Sequence, residues 1–523
     1  MMRRWILGLA FVVALALAAT ACSTDSTPGP KPPAQPAKVA RLVYGVFGSA
    51  EEVASYQAVV DAYNEQATTV RVEMQSWPTS EAMMADIDAA LEAAGLSPSD
   101  TTTPEVDPGQ DGSSAGADPT ETAAALEAAD LPDIYMVARR DLAHVVDTGL
   151  NVPLFNLLED RNVSYGDGYA RDSLEAFSDE ADLQCMPYSV SPMVIYINTD
   201  LVDFAKMRAR GLPTPSVELT SWTIEQFRAA AQFATRPKLQ SKGVSIAPSL
   251  RSIAPFLYSG GGQVFNDVND PISLDLSSDD NRDTLTTLLE VARNPRFTLS
   301  DAQLEQATPT EWFERGRLGM VEGFRSLTPE LRGIAGLHFD VMPMPHIDDE
   351  ATVGDISGLC IAPGRDIQRA ADFLVHAISA DGFAPVTQAG YVVPANLAVA
   401  RSDAFLQPDQ QPAHAGTFNA GVDNMVLAPL LENYDELDAV IDPFLLRAFT
   451  EPVLPSIDVI TAEIDEASRP VLDPNYVLPD PPTDPPTDPS SESPSGSPSE
   501  SPFELPSASS SESPSSPSVS STP

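Results

Sequence analysis

Residues 186–198 read Met-Pro-Tyr-Ser-Val-Ser-Pro-Met-Val-Ile-Tyr-Ile-Asn, and the reading of this stretch decides the fold. Its first half is polar and punctuated by Pro187 and Pro192, which fix φ and push the residues before them towards extended backbone. Its second half, Met193 to Ile197, is a β-branched apolar run of the kind a buried strand uses. A core strand accounts for that apolar half but not for the series behind it: Asp200-Leu201, then Gly211-Leu212-Pro213, then Ser221-Trp222-Thr223-Ile224-Glu225-Gln226-Phe227. Thr223 with Gln226 has capping-box spacing, and Phe227, Ala230, Ala231 and Ala234 predict a helix stripe.

Upstream, Arg41 to Phe47 predicts a short strand ended by Gly48-Ser49. Ser49 with Glu52 has capping-box spacing, and Val53, Tyr56, Val60 and Tyr63 follow at helical intervals. Val70, Val72 and Met74 then alternate as a second strand. Strand, helix, strand is a parallel α/β opening, and ligands in such sheets sit at the carboxyl ends of strands, here Phe47, Gly48 and Ser49. Ala82 to Gly95 reads as a helix. Leu96 to Thr120 has no periodicity and reads as a disordered insertion. Asp130-Leu131-Pro132-Asp133 leads into a buried strand, Ile134 to Val137, with Arg139, Arg140 and Asp141 at its end.

The chain of 523 residues carries a formal charge of −45. Leu96 to Asp130 holds eight acids and Asn475 to Pro523 seven, with no Lys or Arg in either. Such a balance excludes nucleic acid and a polybasic membrane patch as partners. The five His, at 144, 338, 346, 376 and 414, form no His-Glu-x-x-His pair, and no nucleophile elbow, phosphate loop or calcium loop is present. The expectation is therefore no enzyme, no metal and no cofactor, although paired glycosidase carboxylates, being spatial, leave no sequence signature.

Met1 to Cys22 is a targeting segment: Arg3 and Arg4, an apolar run from Ile6 to Ala18, then Ala19-Thr20-Ala21-Cys22. Small residues before a Cys resemble a bacterial lipobox, which implies lipidation at Cys22. Plain secretory cleavage is the alternative, since Ala19 stands where Leu is usual. Residues 23–38, rich in Pro, Thr and Ala, read as a tether. From Pro470 onward, Pro, Ser, Asp and Glu cannot bury a core.

Taken in order, the segments from Pro187-Tyr188 through Tyr196-Ile197-Asn198 to the Trp222-led helix resemble the first interlobe crossing of the extracellular solute-binding proteins of bacterial ABC importers, the maltose-binding-protein-like group. Trp312-Phe313, Gly316, Gly319-Met320-Val321 and Gly323-Phe324-Arg325 match that family's strand ending in a cleft-facing turn. Gly390-Tyr391-Val392-Val393-Pro394 is similar to its third crossing. The resemblance covers roughly residues 40–468. It implies a type II, two-lobe α/β fold of the periplasmic-binding-protein kind with a cleft between lobes. Lobe one would take residues 39–190 and 344–385, lobe two 191–343 and 386–468, with the insertion at 96–120 and the tail at 469–523 outside them.

The ligand-binding residues it implies are Phe47, Ser49, Arg139, Arg140, Tyr188, Ser191, Phe324, Arg325 and Tyr391. It also places Cys185 and Cys360 on adjacent lobe-one strands, as a disulfide; two reduced, buried thiols are the alternative. The implied protein is a monomeric, lipid-anchored receptor on the outer face of the cytoplasmic membrane. It would bind a small solute, a carbohydrate before a peptide or polyamine, and deliver it to ABC permease subunits. A lipoprotein hydrolase of cell-wall glycan and a non-transport adhesion or scaffold lipoprotein remain the other readings.

Overall fold

Alternation within one short strand separates two cores. In the computed structural model, Ile195 and Ile197 enter one hydrophobic core while Val194 and Tyr196 enter another on the opposite face, as the period of two requires. The structure describes residues 39–96, 131–163, 165–166, 168–179, 182–364 and 366–477. The targeting segment, the tether, positions 97–120 of the expected insertion and positions 478–523 of the expected tail lie outside them.

The first sheet holds β1 (Ala40–Phe47), β2 (Val70–Trp77), β3 (Ile134–Ala138), β6 (Met186–Pro192) and β11 (Gly354–Ile361) in the order β2-β1-β3-β11-β6. A small hairpin, β4 (Ser178–Asp179) with β5 (Asp182–Leu183), stands apart. β1 is parallel to β2 and β3, and β11 is antiparallel to both β3 and β6. The second sheet holds β7 (Val194–Asn198), β8 (Lys242–Ser245), β9 (Leu318–Gly323) and β10 (Phe339–Pro343) in the order β10-β7-β9-β8. The chain thus changes sheets at Met193, between β6 and β7, and returns between β10 and β11. It is a two-lobe α/β fold.

Local chemistry sets the helix starts. Ser49 caps the Ala50–Gln66 helix by accepting the Glu52 N–H, and Glu52 Oε1 takes the Tyr56 hydroxyl at 2.8 Å. Thr223 and Gln226 form a complete capping box. Trp222 is buried edge-on between Phe204 and Phe227, and its Nε1 donates to the Pro343 carbonyl at 2.7 Å. That bond ties the helix to the end of β10. Close approach demands glycine at Gly243 among other places. A Cβ on Gly243 would stand 2.1 Å from the Ala231 carbonyl oxygen, so the helix packs on β8 backbone to backbone.

Three helices run past a proline or past the expected lobe border. The Ala380–Ala389 helix spans the expected lobe border at 385; Val386, Val392, Ala395 and Val399 pack into the first core, while Met344 packs into the second. The Tyr434–Thr450 helix runs through Pro443 without a break, with Ile441 and Leu445 buried on either side. The last helix extends to Leu472 through Pro470. Leu472 is buried in the second core, and the Val471 carbonyl accepts Asn433 Nδ2. Packing outweighs the helix-breaking cost of proline there. Leu96, expected in the insertion, is also buried in the first core.

Cys185 and Cys360 are joined, with Cα atoms 4.4 Å apart, and close a sequence separation of 175. Among the described residues no helix is long and apolar enough to cross a membrane.

Candidate interlobe binding site

The carboxyl ends of β1 and β3 and the start of β11 meet the chain crossings, and two cavities open there. A polar chamber of about 190 Å³ is lined by Phe47, Glu52, Tyr56, Ser189, Ser191, Ser357 and Tyr391 from the first-sheet side, with Ser326 from the turn after β9. Most of its polar groups are hydroxyls, and Met136, Ala138, Ile356 and Val392 complete the wall. Glu52 is its buried carboxylate, its pKa raised by burial and held back by the Tyr56 hydroxyl bond. An apolar chamber of about 180 Å³ lies beside it, lined by Leu250, Ala254, Val264 and Phe265 of the second lobe and by Val426, Leu427 and Pro429. Tyr258 and Tyr434 complete its aromatic wall, and Arg139, Arg140, Arg251, Asp355 and Asp438 supply its charge. The chambers share Ala138, Asp355 and Ile356.

Two arginines bridge the lobes by ion pairs beside the apolar chamber. Arg140, after β3, reaches Asp435 at 2.5 Å and Asp438 at 3.5 Å on the Tyr434–Thr450 helix. Arg251, on the Leu250–Ser259 helix, reaches Asp355 of β11 at 3.1 Å. The cation comes from lobe one in the first pair and from lobe two in the second. Burial raises the Asp438 pKa, and Arg140 opposes the rise.

The expected site residues divide. Phe47, Ser191 and Tyr391 line the polar chamber, and Arg139 and Arg140 the apolar one. Ser49 is occupied as a helix cap beside Tyr391. Phe324 lies outside both linings; the Arg251 guanidinium covers its ring at 4.3 Å. Tyr188 does not face the cleft. It is buried in the first core against Phe383, ring centroids 4.4 Å apart. Arg325 is buried too, its Nε donating to the Gly390 carbonyl at 3.0 Å and its guanidinium over Phe405 and Phe418. Its backbone N–H donates to Ser191 Oγ at 2.9 Å. Glu52, Ser189, Arg251, Ser326, Asp355 and Asp438 were not expected. Only Glu52 and Ser189 carry a sequence signal, the first by following Gly48-Ser49 at a strand end and the second by sharing the parity of Ser191. Among the described residues no three His, Cys, Asp or Glu side chains converge as a metal site.

One buried acid next to the cleft turn should make stability depend on pH. Glu322 Oε1 accepts the Ala247 N–H at 3.0 Å, the Ser252 hydroxyl also bonds the carboxylate, and Oε2 has no partner. Burial raises its pKa from 4.5 to about 7. The folded state thus favours the neutral acid. Its contribution to stability is full below 4.5 and is lost as pH rises through 7. Glu322→Gln is expected to flatten that decline in melting temperature, measured between roughly pH 4 and 8.

The architecture recurs in solved structures. An ABC substrate-binding protein of Listeria monocytogenes in complex with cycloalternan aligns with a TM-score of 0.65 at 15% identity, covering 83% of this chain and 99% of that one. The sugar-binding protein MalE of Xanthomonas citri gives 0.63 at 14%, over 83% and 97%. The GacH receptor of Streptomyces glaucescens, solved unliganded and with acarbose, gives 0.61 at 16%, over 83% and 98%. At these identities the likeness is one of fold. A search of curated protein sequences finds no match. The sequence profile of the bacterial extracellular solute-binding proteins matches residues 58–413. The chain belongs to that family of bacterial extracellular solute-binding proteins.

Proposed function

We propose that this protein is the solute-receiving component of an ABC import system, that its solute is a carbohydrate, and that lipid on Cys22 holds it at the outer face of the cytoplasmic membrane. The observation that carries the carbohydrate reading is the polar chamber. Four serines, Tyr56, Tyr391 and the Glu52 carboxylate line one cavity together with Phe47, a set that hydrogen-bonds sugar hydroxyls and packs an aromatic ring on a C–H face. The sugars in the related structures point the same way. A solute that contacts Ser326 and the first-lobe groups at once favours closure of the lobes on it. Delivery to permease subunits follows from the family and needs no catalysis by this chain.

The test is a thermal-shift panel of neutral malto-oligosaccharides, cyclic glucans and monosaccharides against the secreted chain. A sugar present at about 100 times its Kd adds about 2.7 kcal/mol to folding stability, and at least one member should shift the melting temperature accordingly. A panel that leaves it unmoved overturns the carbohydrate reading.

A further inference from the structure

The three arginines and three aspartates around the apolar chamber are unevenly paired. Arg140 has Asp435 and Asp438, and Arg251 has Asp355. Arg139 has no carboxylate within ion-pair distance among the described residues. Among the described residues its one hydrogen bond runs from Nη2 to the Ala428 carbonyl at 3.4 Å, and its Nε is withdrawn from solvent without a partner. Burial lowers its pKa, with the Tyr434 phenol acting the other way. A guanidinium keeps its proton in such a place, and an uncompensated cation against apolar walls costs free energy until an anion meets it.

The walls say which anion. Leu250, Ala254, Val264, Phe265 and Val426 surround the cavity with carbon. A dianionic, strongly hydrated phosphate would lose its water there and face Asp355 and Asp438 at the rim. A single carboxylate on an aliphatic or aromatic skeleton loses little hydration along the skeleton. Its two oxygens match the planar fork of an arginine. We propose that Arg139 receives a carboxylate carried on an apolar part of the solute, so that the cleft takes a molecule of two unlike ends: hydroxyl-bearing in the polar chamber, apolar and acidic beside Arg139. The inference rests on reading this cleft as the solute site.

Fluorine NMR titration of the secreted full-length chain tests it, with 4-(trifluoromethyl)benzoate and its uncharged counterpart 4-(trifluoromethyl)benzyl alcohol as probes. The acid is expected to bind roughly tenfold or more tighter than the alcohol, the worth of a charge-assisted bond. Arg139→Met should abolish that preference, and Ala254→Phe, which fills the chamber and leaves Arg139 in place, should weaken both probes. Equal binding of acid and alcohol, no binding of either, or an undiminished preference in Arg139→Met overturns the proposal. If Arg139→Met fails to fold, the wild-type preference and the weakening of both probes in Ala254→Phe decide. A chain that shifts with neutral sugars yet ignores the acid loses this inference alone. One that ignores both loses the reading of the cleft.

Discussion

Arg325→Ala is expected to cost about 3–5 kcal/mol of unfolding free energy, in the range of large-to-small core substitutions. The side chain is fully buried. Its guanidinium lies over the Phe405 ring at 4.6 Å and the Phe418 ring at 5.1 Å, and it holds the Gly390 carbonyl. Truncation leaves a cavity between two aromatic rings and a buried carbonyl without its donor, and the two costs add. The cation itself is costly where it sits: burial lowers its pKa to about 10, and Nη1 has no partner. Arg325→Met should therefore lose less than half of what alanine loses, because it refills the space without a charge. Urea titration followed by tryptophan fluorescence measures both. An alanine variant as stable as the wild type would show that Arg325 is no structural clamp.

Removing the Cys185–Cys360 bond is expected to cost about 2–5 kcal/mol. The bond closes a separation of 175 residues, and the entropy it withholds from the unfolded chain grows only as the logarithm of loop length. Strain and residual structure reduce the yield below the upper figure. The first measurement is a thiol count on denatured, unreduced protein lacking Cys22. None free supports the bridge and two free removes it. With the bridge established, Cys185→Ala combined with Cys360→Ala should unfold at lower urea, and a midpoint equal to that of the wild type would contradict the estimate.

The parts of the fold carried by short-range pattern could be read from the chain. The strand at Met193 to Ile197, the Ser49 and Thr223 caps and the alternation at Val70 to Met74 each depend on neighbours a few residues away. The site obeyed a rule that was also available. Tyr188 and Ser191 stand three residues apart on one strand, so they face opposite sides. The parity that puts Ser191 in the chamber puts Ser189 there and Tyr188 in the core. Arg325 was different. A guanidinium at a cleft-facing turn is ordinarily solvated, and only the distant Gly390, Phe405 and Phe418 turn it inward. Asp355 and Arg251 had no local signal, because their pairing spans 104 residues of sequence. At Pro443 and Pro470 the local helix-breaking signal is overruled in the same way, by Leu445 and Leu472 reaching a core built elsewhere.

The place of β11 has a consequence for how the chain is made. That strand lies between β3 and β6, yet all four strands of the second sheet precede it in sequence. A ribosome delivers β7 to β10 before the centre of the first sheet exists. Until Gly354–Ile361 emerges, β3 and β6 present bare facing edges, which are templates for pairing with another chain. A product cut short before residue 354 would keep those edges permanently and be prone to aggregate. The lobe begun first is thus the lobe whose sheet is finished last, and a chaperone escorting the nascent chain has an open seam to guard from the synthesis of β6 until β11 emerges.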